Sequence, residues 1–161
     1  MVNAVAILKG AASASAIVGS VWFTPQHGGD YSKETTVYAN VTNVPAGKHG
    51  FHIHEFGDLS DGCESLGGHF NPFNMNHGSP EDHVKHVGDF GNVDVGNDGT
   101  VHFQVTVDTL EFEGPNSILG RGIILHADQD DLGRGGNEGS RLVGNSGARI
   151  ACGIIGNAAK D

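Results

Sequence analysis

Six histidines and one aspartate, His52, His54, His69, His77, His86, Asp89 and His126, are the residues of this chain best suited to chemistry. Imidazole nitrogens and carboxylates are the donors that transition metals take from proteins. His52 and His54 are two apart in GFHIHEFGD. On a strand that spacing projects both rings from one face, while Phe51 and Ile53 turn to the core. His126 ends the apolar run IILH and can approach from across the sheet. His86 and Asp89 are close enough in KHVGDFGNV for one turn to aim both at one ion, with His77 in the same stretch. Four imidazoles in a roughly planar set suit Cu(II). Three histidines with one aspartate suit tetrahedral Zn²⁺ and leave no open position, which implies a structural ion. Two such sets require one histidine to serve both ions. His69 lies between them in sequence, and it can bridge only as an imidazolate with both ring nitrogens metal-bound.

Four histidines fall outside this pattern. His27, His83 and His102 read as loop or solvent-face residues. His49 shares a strand face with Phe51 and Ile53 and reads as a buried hydrogen-bonding residue.

The elements that must hold these side chains are short strands. Apolar residues alternate in runs at 2–8, 17–23, 35–44, 50–56, 101–107 and 118–126. In VHFQVTV, Val101, Phe103, Val105 and Val107 face one way and His102, Gln104 and Thr106 the other, a period of two. Asn97-Asp98-Gly99 is a hairpin signal. No segment has the pattern of an amphipathic helix of ordinary length. The class is therefore all-β, a sandwich or barrel. Two glycine-rich stretches, 57–94 and 128–149, break the strand rhythm, and loops of that length are usually functional.

The 161 residues suit a single domain spanning 1–161, and 26 glycines without a three-residue period imply many turns. A formal charge of −10 argues against nucleic acid as a partner. No run approaches the roughly 18 apolar residues of a membrane span. The start, MVNAVAILKGAASASAIVG, lacks a basic segment, and Lys9 interrupts its apolar tract, so it reads as strand and not as a secretion signal. A cytoplasmic location is the expectation, with secretion the alternative if a leader has been removed. Asn40-Val41-Thr42 is a glycosylation sequon that matters only in that second case. Cys63 and Cys152, the two cysteines, fit either buried thiols or one bridge. Closing some 90 residues would stabilise by about 4–5 kcal/mol in the chain-entropy model.

With these residues in place, the chain resembles the copper/zinc superoxide dismutase family. The motifs that carry the resemblance are GFHIHEFGD, GGHFNP, HVGDFGN, GRGIILHAD, DDLGRGGNE and GNSGARIACGIIG. It runs from about Gly50 to Gly156 and weakly along the N-terminal strands. The resemblance implies a Greek-key β-sandwich or flattened barrel, immunoglobulin-like in architecture, with two long functional loops. It implies copper on His52, His54, His69 and His126, and zinc on His69, His77, His86 and Asp89, with His69 bridging. Arg149 matches the active-site arginine, Asp130 the aspartate that links ligands of both metals, and Cys63 and Cys152 the disulfide. The implied reaction converts superoxide to dioxygen and hydrogen peroxide as copper cycles between Cu(II) and Cu(I). A homodimer and a copper chaperone are the implied protein partners.

The chain departs from the family pattern in two places. Gly139, Leu142 and Val143 stand where relatives often carry charged or polar residues of a steering loop, and Arg141 reads either as a substitute cation or as a solvated side chain. Asn157 stands where family homodimers usually have an apolar contact residue. An alternative function is a non-catalytic copper-binding protein, chaperone-like or a metal buffer. It predicts a lost copper ligand, an extra metal-binding domain or a C-x-C tail, and the sequence has none of these. An immunoglobulin-type adhesion domain does not fit either, because Trp22 precedes both cysteines.

Overall fold

The computed structural model describes residues 4–26 and 34–159, so the expectations for Val2, Asn3 and His27 lie outside it. The alternation seen in the sequence becomes eight antiparallel strands: β1 (Ala4–Gly10), β2 (Val18–Pro25), β3 (Thr35–Thr42), β4 (Gly47–His54), β5 (Asp89–Val95), β6 (Val101–Val107), β7 (Gly122–His126) and β8 (Arg149–Asn157). In β3 the period of two is complete, with Thr35, Val37, Ala39 and Val41 buried and their neighbours turned outward. The sheet order is β5-β4-β7-β8-β1-β2-β3-β6. Its two end strands, β5 and β6, are consecutive in the chain and come into contact, so the sheet is nearly closed as a barrel. The β3–β4 and β6–β7 connections each cross over to a distant strand, which is Greek-key winding. The turn expected at Asn97-Asp98-Gly99 forms, with Gly99 at φ +73° donating to the Gly96 carbonyl at 3.2 Å, but it closes no hairpin ladder: β5 pairs with β4 and β6 with β3.

Phe23, Phe51, Phe90, Ile53, Ile123 and Leu125 belong to the main core of the barrel. On β4 and β7 both faces are buried around the histidines, because the stretch after β4 folds back over the outer face. A second small apolar cluster of Cys63, Leu66, Ile124 and Cys152 lies there. The Cys63–Cys152 disulfide, with Cα atoms 5.8 Å apart, ties this loop to β8.

Most strand boundaries differ from the sequence expectation, by two residues or fewer in β1 to β3 and by more in β4 and β7. The run 118–126 becomes strand only at Gly122–His126, and the run 50–56 becomes Gly47–His54. The last strand, β8, lies beyond the runs read from the sequence and begins at Arg149. The stretch 57–94 is not all loop, since β5 occupies its end. Gly91 at φ +77° and a register shift opposite Gly50–His52 interrupt the alternation that would have revealed β5. A six-residue helix, α1 (Glu138–Val143), sits within 128–149. The Asn137 side chain caps its start and Gly144, at φ +69°, ends it. It is too short to print a helical period. No helix among the described residues is long and apolar enough to cross a membrane.

Candidate metal centre

β4 presents His52 and His54 on the outer face of the barrel, under the returning loop. That loop reaches β4 through an isolated bridge between His54 and His69 and a bond from Glu55 N to Gly68 O of 2.9 Å. His126 arrives from β7, which pairs with β4, at a register break opposite Arg149. His52, His54, His69 and His126 are all buried, and one ligand atom from each lies within 4.8 Å of the others.

Hydrogen bonds to carbonyls decide which nitrogens are free. His54 Nδ1 donates to Gly67 O at 2.9 Å and His126 Nδ1 to Gly147 O at 3.1 Å. Their Nε2 atoms therefore carry lone pairs, and these face each other at 3.4 Å. His52 Nε2 donates to Asp130 Oδ2 at 2.6 Å, which leaves His52 Nδ1 buried without a partner. His69 Nε2 is likewise buried and unpartnered. Buried lone pairs without donors are costly unless a cation takes them. This arrangement suits an ion held by four imidazoles.

The second donor group lies on the other side of His69. Asp89 Oδ1 is 3.3 Å from His69 Nδ1, 2.9 Å from His77 Nδ1 and 3.5 Å from His86 Nδ1. His69 Nδ1 and His86 Nδ1 are 3.1 Å apart. Bonds of about 2.0–2.1 Å to a tetrahedral Zn²⁺ place its donors about 3.3–3.4 Å from one another. His77 Nδ1 and Asp89 Oδ1 are close yet make no well-aligned hydrogen bond, as expected of donors aimed at a common point. His52 also falls within range of this group. With Nε2 engaged by Asp130, however, it has one nitrogen to give. His69 alone offers one ring nitrogen to each group.

The remaining atoms of these residues are held by the protein. Asp130 is fully buried and accepts from His52 Nε2 and, at 2.7 Å, from His77 Nε2, so one carboxylate connects the two groups. Asn92 fixes Asp130 in turn: Asp130 N donates to Asn92 Oδ1 at 2.7 Å and Asn92 Nδ2 to Asp130 O at 3.0 Å. Gly144 is needed beside it, because a Cβ there would stand 2.0 Å from Asp130 Oδ1. Asp89 Oδ2 accepts from Gly78 N and His86 N, and His86 Nε2 donates to Met75 O at 2.9 Å. Such outer bonds orient metal-binding imidazoles.

Burial sets the electrostatics of the first group. Desolvation holds His52, His54 and His69 below the ordinary histidine range and lowers His126 to about 4. These rings are neutral at pH 7, as ligands must be. For His77, burial alone would lower the pKa, but the hydrogen bond to Asp130 and the nearby Asp89 carboxylate outweigh it and raise it to about 9. Burial would raise the Asp89 carboxyl, yet the imidazoles of His69, His77 and His86 hold it far below the carboxylate range.

Arg149 opens β8 beside His126. Its Nη1 donates to Cys63 O at 2.9 Å, and its Nε lies 3.8 Å from Glu64 Oε2. Nη2 has no partner among the described residues. His49 is buried, with its two ring nitrogens on His126 O and Pro45 O at 2.8 and 2.7 Å, as its strand face implied. His83 and His102 are exposed, also as expected. Arg141 and Leu142 are exposed on α1. Sequence reasoning missed Asn92, Glu64 and the part played by Gly144. Only Gly144 had a local signal, a glycine directly after a capped turn.

Barrel and donors together define a class: an antiparallel β-barrel metalloprotein with a buried histidine cluster on its outer face. The family model described as copper/zinc superoxide dismutase (SODC) matches residues 17–155, and the chain belongs to that family.

Proposed function

We propose that this protein is a superoxide dismutase, with copper on His52, His54, His69 and His126 and zinc on His69, His77, His86 and Asp89. The observation that carries this reading is His69, whose Nδ1 meets the carboxylate group and whose buried Nε2 is free toward the imidazole group. Copper cycling between Cu(II) and Cu(I) supplies the one-electron exchanges that turn two superoxide ions into dioxygen and peroxide, and zinc is structural. Arg149 binds and orients the anion through its free Nη2 by a charge-assisted hydrogen bond. His69 carries a proton on Nε2 when that nitrogen is not a ligand, and gives it up to peroxide oxygen. A second proton comes from solvent, so hydrogen peroxide leaves neutral. Asp130 keeps the His52 and His77 rings in place throughout.

The test is metal analysis together with a superoxide assay on one preparation. Copper and zinc bound with rapid dismutation is the expected result. A folded protein with both metals and no dismutation would reject the enzyme and leave a metal-binding role.

The same reading includes a homodimer. Ile7, Leu59 and Ile154 are exposed around a shallow hollow of about 540 Å³ formed by β1, β8 and the disulfide loop. A second copy would cover this apolar face, although Asn157 at the end of β8 adds a polar group to that strand. Sedimentation giving a monomer mass at micromolar concentration would exclude it.

A further inference from the structure

We propose that Glu64 acts as a built-in counter-ion to Arg149 and weakens its capture of small anions; this rests on the anion-binding role given to Arg149 above. Glu64 follows Cys63 directly and opens the short 3-10 turn Glu64–Leu66. Its carboxylate Oε2 lies 3.8 Å from Arg149 Nε, and its backbone carbonyl is 3.4 Å from Arg149 Nη1. The Arg149 side chain is 18% exposed and that of Glu64 72%. The disulfide fixes the turn against β8, so this proximity is set by covalent structure. Glu64 makes no other ion pair among the described residues.

So exposed a pair adds little to folding. Its position gives it another consequence. Arg149 adjoins His126 in the strand register, and an anion approaching the four-histidine group meets the guanidinium at its free Nη2. A monoanion arriving there competes for positive charge with a carboxylate already beside Nε. Glu64 also sets a negative charge at the mouth of the approach, in a chain whose formal charge is −10. Like charge near a docking cation lowers the encounter rate, and the effect is screened by salt.

The experiment compares the copper- and zinc-loaded wild type with Glu64→Gln, which keeps side-chain size and removes the charge. Azide binding is followed by its copper absorption band, and the second-order rate with superoxide is measured against ionic strength. Glu64→Gln should bind azide about two- to fivefold more tightly, the range of an exposed ion pair. Its rate should rise at low salt and fall more steeply as salt is added. In an Arg149→Gln background, the same change should leave azide affinity almost unaltered. Unchanged azide affinity in the single variant overturns the proposal, and so does an equal gain in the Arg149→Gln background. Should the Arg149→Gln chain fail to fold, the single variant decides alone. Azide titration needs no dismutation, so an inactive enzyme refutes the functional reading while Glu64 is still judged.

Discussion

The two donor groups that meet at His69 are built on opposite plans. The four-histidine group stands mostly on strands: His52 and His54 on β4 and His126 at the end of β7. It contains no carboxylate, and burial lowers its imidazoles. The other group belongs to the long loop and the first residue of β5. It has Asp89 as a donor, and its His77 is raised to about 9. One set is rigid and neutral before any ion arrives. The other carries compensating charge, and an ion would organise the loop as much as the loop organises the ion. Electron exchange suits the first plan and structural binding the second.

The largest effect expected from breaking this asymmetry is on activity. His126→Ala should abolish dismutation and lower copper content while leaving zinc in place, because no atom of His126 belongs to the second group. Asp89→Asn should do the reverse damage first. It removes the one carboxylate donor and weakens the acceptor for Gly78 N and His86 N, so zinc should be lost and the loop should lose amide-exchange protection. If His126→Ala also released zinc, the two plans would not be separable.

Next in size is the covalent tie. The disulfide closes a separation of 89 residues. Removing it through Cys152→Ser should cost about 4–5 kcal/mol of stability in denaturant unfolding. It should also lower the superoxide rate, because the loop that holds Arg149 Nη1 through Cys63 O is no longer anchored to β8. A variant with wild-type rate and stability would refute both parts.

Asp130→Asn should act on both groups at once but more mildly. It leaves an amide where a charged acceptor served His52 and His77, and a loss of about 10–100-fold in affinity for each metal is the expected scale. Loss at one metal only would mean that the shared carboxylate supports one group and not two.

How much of this was legible in the sequence follows from the same asymmetry. The strand-borne half was readable because a period of two fixes the direction of His52 and His54 without knowledge of the rest. His49 was readable for the same reason. The loop-borne half could be read as a ligand count but not as geometry, since no periodicity governs residues 57–88. β5 was hidden by Gly91 and the register shift beside it. Asn92 and Glu64 are polar residues of ordinary kind whose roles come only from contacts with Asp130 and Arg149, distant in the chain. The family resemblance supplied those ligand assignments that local pattern could not.

The gentlest test is the pH dependence of the metal-free chain, where the two groups should pull in opposite directions. His126 has a folded pKa of about 4 because burial resists its charge. The unfolded imidazole takes a proton near pH 6.5, so the unfolded state binds more protons and stability falls as pH drops from about 6.5 toward 4. His77 has its folded pKa raised to about 9. Its contribution is fully present below about pH 6.5 and is lost as pH rises through 9. Urea midpoints of the metal-free protein should therefore decline on both sides of neutrality. His126→Asn should make the acid side shallower, with the lowered imidazoles of His52, His54 and His69 still contributing, and His77→Gln should flatten the alkaline side. Adding zinc should suppress the alkaline decline, because a ligating Nδ1 carries no proton to lose while Nε2 keeps its bond to Asp130. An alkaline decline that survived both His77→Gln and zinc would have another origin, and the charge contrast between the groups would lose its support.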